Sequence, residues 1–390
     1  MIFKFSSPPK SEVVVFDGHS IKDLKYILEK KSYLVVENRK ERIKIIYFGI
    51  GFLINCLKNF ILNFFNNKNL HTIYLFTLIT TINPKLVITS TDNSFKFSDL
   101  AKLLKKKIKF VAIQNATRFD FILNDYLFKK KIINKDLNKI FYYIPNYYCF
   151  GQREIDDAKK YNLQIDNFFK VGSIRVANFF RLLEKNKIRL NNQKYDICLI
   201  SEPQPGLNTK LNSQDLEESF ILPVKFAIKY VKNHNLKLIF AQKRYYDTPA
   251  NYDEINFFKR YLEKNEFEFL FKNSTKKKDV YSSYYPLFES KMAVGVGSTL
   301  LLDKLGCKEK ILSINSSIES IFDFPINGIC KLKSRNFNDF NSRVTDILNI
   351  STDEYLRKIE KPIDYVMVFD KKESTIDKIR NQIFQNINKK

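Results

Sequence analysis

The stretch "KMAVGVGSTLLLDKLG" (residues 291–306) places a short apolar run, a turn with two glycines and a Ser-Thr pair, and an apolar-periodic helix in direct succession. The first N–H groups of a helix lack internal partners and lie at the positive end of the helix dipole, so such a turn attracts anions. Gly295 and Gly297 would let a phosphate approach the backbone, and Ser298 or Thr299 would cap the helix and donate a hydroxyl to a phosphate oxygen. An ordinary capped strand-to-helix turn fits the same residues, and this stretch alone leaves both interpretations open.

The same alternation of short apolar runs and helical-period segments continues through all 390 residues. It is typical of α/β proteins built on parallel sheets. A polar gap near residues 180–194 separates two series of strands, so we predict two Rossmann-like domains facing a central cleft. The predicted domains are residues 1–180 and 181–350, followed by a helical segment, 351–390, that either packs back on the first domain or frays.

Two local patterns give specific expectations within these domains. The segment "FEFLFK" (267–272) alternates like a strand. The longest apolar stretch, residues 45–65, is interrupted by Asn and Lys and predicts one long helix, mostly buried, rather than a membrane span. One side of it is an alternative candidate for contact with a bilayer surface.

Composition limits the class of partner. A formal net charge of +24 favours an anionic partner: nucleic acid, a phosphorylated substrate or an acidic membrane. Lys, Asn, Ile and Phe are abundant everywhere, which also fits an AT-rich genome. The sequence contains no Arg-rich tail, RNP-like motif or zinc-finger spacing, so we predict no nucleic-acid partner.

Cysteine and histidine usage indicates a cytoplasmic, metal-free protein. The five cysteines are dispersed and never occur in CxxC spacing, which favours a reducing compartment. The three histidines have no metal-ligand neighbours at useful spacing. The first residues also lack the uninterrupted apolar core of a signal peptide.

Polar side chains follow several predicted strands, where open α/β sheets bind ligands. In the first half, Asp92 and Asn93 follow "KLVITST", and Asp92 is a candidate base or nucleophile. The alternative is an Asx turn that caps the next helix. The remaining candidates in this half, which would hold hydroxyls or a carboxylate of an acceptor, are Gln114, Asn115 and Arg118.

The second half offers donors suited to phosphate or carboxylate groups. Glu202 and Gln204 follow one predicted strand, and Gln242, Lys243 and Arg244 follow the next. Asp303, on the second turn of the helix after the Gly-rich turn, is either a ribose contact or a solvated helix residue.

Taken in order, these motifs resemble GT-B glycosyltransferases. The segment "GVGSTLLLDKLG" is similar to their donor-binding segment, and most of all to that of the bacterial surface-carbohydrate biosynthesis group. The stretches "NPKLVITSTDNSFKFSDLAK" and "YYCFGQREIDDAKKY" also fit that group. The resemblance implies transfer of a sugar from a nucleotide donor, bound by the C-terminal half, to a surface polysaccharide or lipid-linked glycan bound by the N-terminal half.

The resemblance also bears on the donor and the mechanism. Distant relatives use CMP-linked acidic sugars, which makes a CMP-sugar a candidate donor. Two departures are evident: Asp303 replaces the usual Glu, and "AQKR" (241–244) stands where a His-Pro pair is expected. No Asp-x-Asp motif is apparent, so we predict a metal-independent transferase whose only small-molecule requirement is its nucleotide-sugar co-substrate.

Two other functions remain open at this stage. A sugar-nucleotide epimerase would use a similar cleft, and a non-catalytic scaffold of glycan assembly would bind a donor without turnover. The basic charge and a lipid-linked acceptor would also place the protein at the inner face of the cytoplasmic membrane, as a peripheral partner of anionic lipid.

Overall fold

The computed structural model describes residues 2–39, 42–43, 45–64, 70–117, 142–161, 163–191, 193–203, 213–370 and 374–384. The chain divides into two compact units. Unit 1 consists of Met1–Asn115, Lys135–Asn178 and Phe369–Lys390, and unit 2 consists of Ala116–Asn134 and Phe179–Val368.

Unit 1 is built on a six-stranded parallel sheet in the order β3-β2-β5-β6-β7-β8. Its strands are β2 (Val13–Phe16), β3 (Leu34–Val36), β5 (Leu86–Thr89), β6 (Lys109–Ile113), β7 (Tyr143–Cys149) and β8 (Gln164–Lys170). A separate parallel pair joins β1 (Ile2–Lys4) to β4 (Ile45–Tyr47).

The helices of unit 1 cover both faces of the large sheet with apolar side chains. They are α1 (Ile21–Leu24), α2 (Ile50–Phe64), α3 (Leu70–Ile82), α4 (Phe95–Leu104), α5 (Gln152–Lys160), α6 (Ile174–Lys185), which runs on into unit 2, and the C-terminal α14 (Thr375–Phe384). The inner strands β2 and β5 are buried at all four of their positions, as continuous apolar runs in parallel sheets are.

Unit 2 has a five-stranded parallel sheet in the order β10-β9-β11-β12-β13. The strands are β9 (Tyr195–Ile200), β10 (Leu238–Ala241), β11 (Ser290–Gly295), β12 (Lys310–Asn315) and β13 (Lys331–Lys333). Its helices are α7 (Ser213–Asn233), α8 (Pro249–Tyr261), α9 (Lys264–Lys272), α10 (Tyr284–Phe288), α11 (Thr299–Gly306), α12 (Phe337–Asn349) and α13 (Thr352–Arg357).

The predicted strand at 267–272 is wrong, because these residues lie in α9. A capping box starts this helix: Glu263 caps it, and the Glu266 carboxylate accepts the Glu263 N–H at 3.0 Å. Leu270 is fully buried, while the alternating Phe and Glu residues merely imitate a strand period. The start signal therefore outweighs the alternation.

The predicted single helix over 45–65 is also wrong. Residues 45–47 form β4, and α2 begins only at Ile50. Gly49 lies between them, where a Cβ atom would come within 2.5 Å of the Ser7 backbone nitrogen, so only glycine fits this close approach. The expectation that this helix is mostly buried fails as well, because most of its apolar side chains are exposed.

Candidate functional site

Three neighbouring strands of unit 2 bring most of the predicted donor-binding residues to one sheet edge. Strands β10, β9 and β11 are adjacent and parallel, so the segments after Ala241, Ile200 and Gly295 emerge at the same edge. These segments contain the predicted residues of the second half that the structure describes. The sheet topology thus unites positions that are distant in sequence.

A buried carboxylate that sequence reasoning missed organises this edge. Glu254, on α8, accepts the backbone N–H groups of Lys243 and Arg244, each at 2.9 Å, and also the Ser201 hydroxyl. It is nearly inaccessible to solvent. Two loops that follow adjacent strands are therefore fixed to each other through one side chain.

The two basic residues held by Glu254 differ in what they offer to a ligand. The Lys243 ammonium forms an ion pair with Glu202, and both side chains are partly buried. Arg244 is exposed. Gln242 is buried, and its backbone carbonyl accepts the Ser283 hydroxyl at 3.3 Å. Arg244 is therefore the predicted phosphate partner with the most accessible charge.

The Gly-rich turn connects β11 to α11. Gly297 has a φ of 45°, a left-handed conformation that favours glycine, and its N–H donates to the Ser313 hydroxyl at 3.3 Å. Ser298 caps α11 by accepting the Leu300 N–H at 3.4 Å. The Thr299 hydroxyl accepts the Thr117 N–H at 3.0 Å. The predicted cap is confirmed, and both hydroxyls have partners within the protein.

Asp303 lies on the inner side of α11. It is fully buried and accepts the Tyr284 hydroxyl at 2.7 Å. The Tyr284 bond gives Asp303 a structural role, and its burial rules out the alternative of a solvated helix residue. Its contact with a ribose stays a prediction.

In unit 1, Asp92 follows β5, in the middle of the large sheet. It is buried, and its carboxylate accepts the Tyr147 hydroxyl at 2.9 Å, while its backbone carbonyl accepts the Tyr142 hydroxyl. Asn93 is half-buried beside it. The helix cap suggested by an Asx turn falls instead to Ser94, which accepts the Phe97 N–H. Asp92 is thus held in place by tyrosine hydroxyls.

Gln114 and Asn115 follow β6, the neighbour of β5. Gln114 is fully buried, accepts the Phe150 N–H at 2.8 Å and donates to Glu154 at 3.1 Å. These bonds give it a structural role, and its contact with an acceptor stays a prediction. Asn115 is half-buried at the same sheet edge. Burial raises the pKa of the Glu154 carboxyl to about 7.

A second group at this edge escaped the sequence analysis. Asp17 directly follows β2, the other neighbour of β5; it is buried and has a φ of 72°, unusual for a residue other than glycine. Its carboxylate accepts the His19 N–H at 3.0 Å and pairs with Arg39 at 3.3 Å. Strained residues cluster at functional sites, and "FDGH" after an apolar strand was the available signal.

Arg118 and Gln204 lie outside the described residues. Among the described side chains, no three His, Cys, Asp or Glu groups come together in a way that could hold a metal ion.

Comparison with known proteins identifies the fold. No protein-family model and no curated protein matches the sequence. Two structures of a variant of the wall teichoic acid polymerase TagF, soaked with CDPG, each align with 98% of this chain and 90% of their own, at 11% identity and TM-scores of 0.53 and 0.52. The chain has an α/β fold of the GT-B type. A sucrose-phosphate synthase from Thermosynechococcus elongatus aligns at a TM-score of 0.48 and 9% identity over 97% of this chain and 100% of its own.

Proposed function

We propose that this protein is a glycosyltransferase that moves a sugar from a nucleotide donor onto a surface polysaccharide or a lipid-linked glycan. One observation carries the proposal: three adjacent strands of unit 2 end in a cation, a fixed ion pair and a Gly-rich helix start. The GT-B fold supports it, because the neighbours with this fold include a polymerase of wall teichoic acid. That likeness also favours assembly of a surface polymer.

The leaving nucleotide would be stabilised at the edge of unit 2. Negative charge grows on its phosphate as the glycosidic bond breaks, and preorganised donors that face this charge lower the barrier. Arg244 supplies an exposed guanidinium, and the first N–H groups of α11 supply the positive end of a helix. We propose that these groups replace a divalent ion, with Lys243 joining them by exchanging Glu202 for phosphate.

The acceptor would be activated at the edge of unit 1. Asp92 is our candidate for the carboxylate that takes the proton of the acceptor hydroxyl, or that attacks the sugar in a double displacement. Asn93 and Asn115 would orient the acceptor. Asp17 is a second candidate, since its strained backbone lies at the end of the adjacent strand β2.

A CMP-linked acidic sugar remains a candidate donor.

The donor is testable by nucleotide-dependent thermal shifts. Among CMP, CDP, UDP, GDP and ADP, we expect the preferred nucleotide, at about a hundredfold over its Kd, to raise Tm by roughly 5 °C. Arg244→Ala should abolish this shift and leave the Tm without nucleotide unchanged. Arg260→Ala is the matched control, because Arg260 is an exposed arginine on α8. A shift that survives in Arg244→Ala, or no shift with any nucleotide, would contradict the donor site.

Turnover separates the transferase from its two alternatives. Once the donor is known, both Asp92→Asn and Asp17→Asn should keep the nucleotide-dependent rise in Tm. Whichever of the two aspartates is the catalytic carboxylate, its Asn variant should lose sugar-transfer activity by at least about a hundredfold. Epimerised donor without transfer would favour the epimerase. Donor binding without turnover in the wild type would favour the scaffold.

We further propose a peripheral position at the inner face of the cytoplasmic membrane. The net charge of +24 supports it, and a lipid-linked acceptor would require it.

A further inference from the structure

Helix α2 presents its apolar stripe outward. Ile50, Leu53, Ile54, Leu57 and Ile61 follow the i, i+3, i+4, i+7 spacing that defines one face of a helix. In most surface helices this face packs on the core. Here all five side chains are exposed; Ile50 is 79% exposed and Leu57 60%.

The inward side of α2 explains how the helix is held in this orientation. Phe52 is buried and meets Tyr74 of α3 edge to face, with ring centroids 5.7 Å apart. The Asn59 amide donates to the Thr77 hydroxyl at 3.0 Å. A specific polar bond and an aromatic contact thus fix the inner side, and the orientation is built into the packing.

Aromatic side chains in the small β1–β4 sheet and directly after its strands accompany this stripe. Phe48, just before α2, lies 5.6 Å from the Phe3 ring and 6.3 Å from the Phe5 ring, between centroids. All three rings are exposed. Because β4 leads into α2 through Gly49, the rings and the stripe are neighbours in the chain. Together they form the outer face, an exposed apolar surface of the kind that marks an interaction site.

The charge around the outer face selects its partner. Lys4, which stands between Phe3 and Phe5 in the sequence, is exposed, and residues 2–5 contain no acidic residue. Helix α2 has no acidic residue, and Lys58 is exposed on it. A second copy of the chain would set like charges against each other, whereas an anionic bilayer would complement them.

We propose that the outer face docks on an anionic lipid bilayer, with α2 in the plane of the interface and the rings of Phe3, Phe5 and Phe48 among the headgroups. No helix of the described residues is long and apolar enough to cross a membrane, and an interfacial helix does not need to be. The inference deepens the membrane contact in the proposed function, but it does not depend on sugar transfer.

The chain contains no tryptophan, which permits a direct test in the full-length protein. Leu57→Trp places a single indole on the outer face. With vesicles of phosphatidylglycerol and phosphatidylcholine, we expect its emission to shift to the blue and to be quenched by brominated lipid. Ile318→Trp is the matched control, because Ile318 is 73% exposed and belongs to unit 2. An unshifted Leu57→Trp, or equal shifts in both variants, would overturn the proposal.

Vesicle sedimentation without nucleotide measures the affinity of each variant for the bilayer. Leu57→Gln and Ile61→Gln should each weaken binding about tenfold, while Ile318→Gln should not. Added salt should weaken wild-type binding, and neutral vesicles should bind less protein. If the wild type instead forms a dimer that Leu57→Gln dissociates, with no affinity for vesicles, the outer face is a self-association surface and the proposal fails. Because no nucleotide is present, this failure is separate from failure of sugar transfer.

Discussion

Glu254 and Glu154 hold the loops that follow strands β10 and β7. Each is buried, and each accepts backbone N–H groups of residues at a strand end: Lys243 and Arg244 for Glu254, and Gly151 for Glu154. A carboxylate that receives N–H bonds fixes a loop without covering its outer surface. The side chains offered to ligands are therefore positioned by acids that a ligand need not touch.

Of the two acids, Glu254 shows what the sequence could not predict at the residue scale, whereas the bond of Glu154 to Gly151 belongs to a local capping box. The strand-end positions of Asp92, Lys243 and Arg244 follow from the apolar pattern before them. Glu254 lies on the following helix, and its role depends on a tertiary approach to two loops that no local pattern encodes. The same holds for Asp303, whose burial depends on the packing of α11 against Tyr284.

The raised pKa of Glu154 predicts a specific pH dependence of stability. Burial raises this pKa from 4.5 to about 7, so between these values the folded protein keeps a proton that the unfolded chain has released. Stability from this group is therefore present at low pH and is lost as pH rises through about 7. The amide side chain of the Glu154→Gln variant cannot ionise, so this variant escapes the loss. The difference in free energy of unfolding, variant minus wild type, should therefore increase by on the order of 3 kcal/mol between pH 4.5 and about pH 8.

Urea unfolding across this pH range measures the difference. Asp156→Asn, an exposed acid on the same helix, is the control and should follow the wild-type curve. Parallel curves for Glu154→Gln and the wild type would show that Glu154 is ionised in the folded protein.

At the scale of elements, a buried lysine in the last turn of helix α11 connects this helix to its neighbours. Lys304 is fully buried and donates to the carbonyls of Leu287 and Ser290 at 2.7 and 3.0 Å, and it pairs with Glu309. It thereby ties the end of α10, the start of β11 and the segment after α11 to one helix. The Gly-rich turn lies at the other end of that helix, so its position rests on this anchor.

Lys304→Met should destabilise the protein by about 2 kcal/mol, because it leaves the buried carbonyls of Leu287 and Ser290 without their donor. Lys308→Met removes the same charge from an exposed position and should change the free energy of unfolding by less than about 0.5 kcal/mol. Chemical denaturation of both variants and the wild type measures these changes in the free energy of unfolding. Equal effects would mean that Lys304 contributes no more than a surface lysine.

The elements also show which sequence signals are reliable. Uniform apolar runs such as Val13–Phe16 became central strands, and the capped turn at Ser298 was confirmed. The errors concern α9, where a strand-like alternation hid a capping box, and α2, where an apolar stripe faces solvent. A periodicity identifies a helix face, but it does not say what covers that face.

At the scale of the whole molecule, the alternation of strands and helices was enough to predict an α/β protein with parallel sheets. The sequence does not mark how far unit 2 extends within the last forty residues. Helix α13 (Thr352–Arg357) still belongs to unit 2, and only from Phe369 onward does the chain return to unit 1. Three isoleucines of α14, Ile376, Ile379 and Ile383, then complete a core of unit 1 that begins with β2.

This return makes the stability of unit 1 depend on the last helix of the chain. Ile379 is fully buried in that core, so Ile379→Ala should cost about 3 kcal/mol through lost burial and the cavity left behind. Ile347→Ala makes the same change in the fully buried α12 position of unit 2. In amide hydrogen exchange, we expect Ile379→Ala to speed exchange in β2 and β5 and to leave β9 and β11 protected, with the reverse for Ile347→Ala. Loss of protection in all four strands with either variant would show that the two units unfold as one, and that α14 supports the whole molecule rather than unit 1.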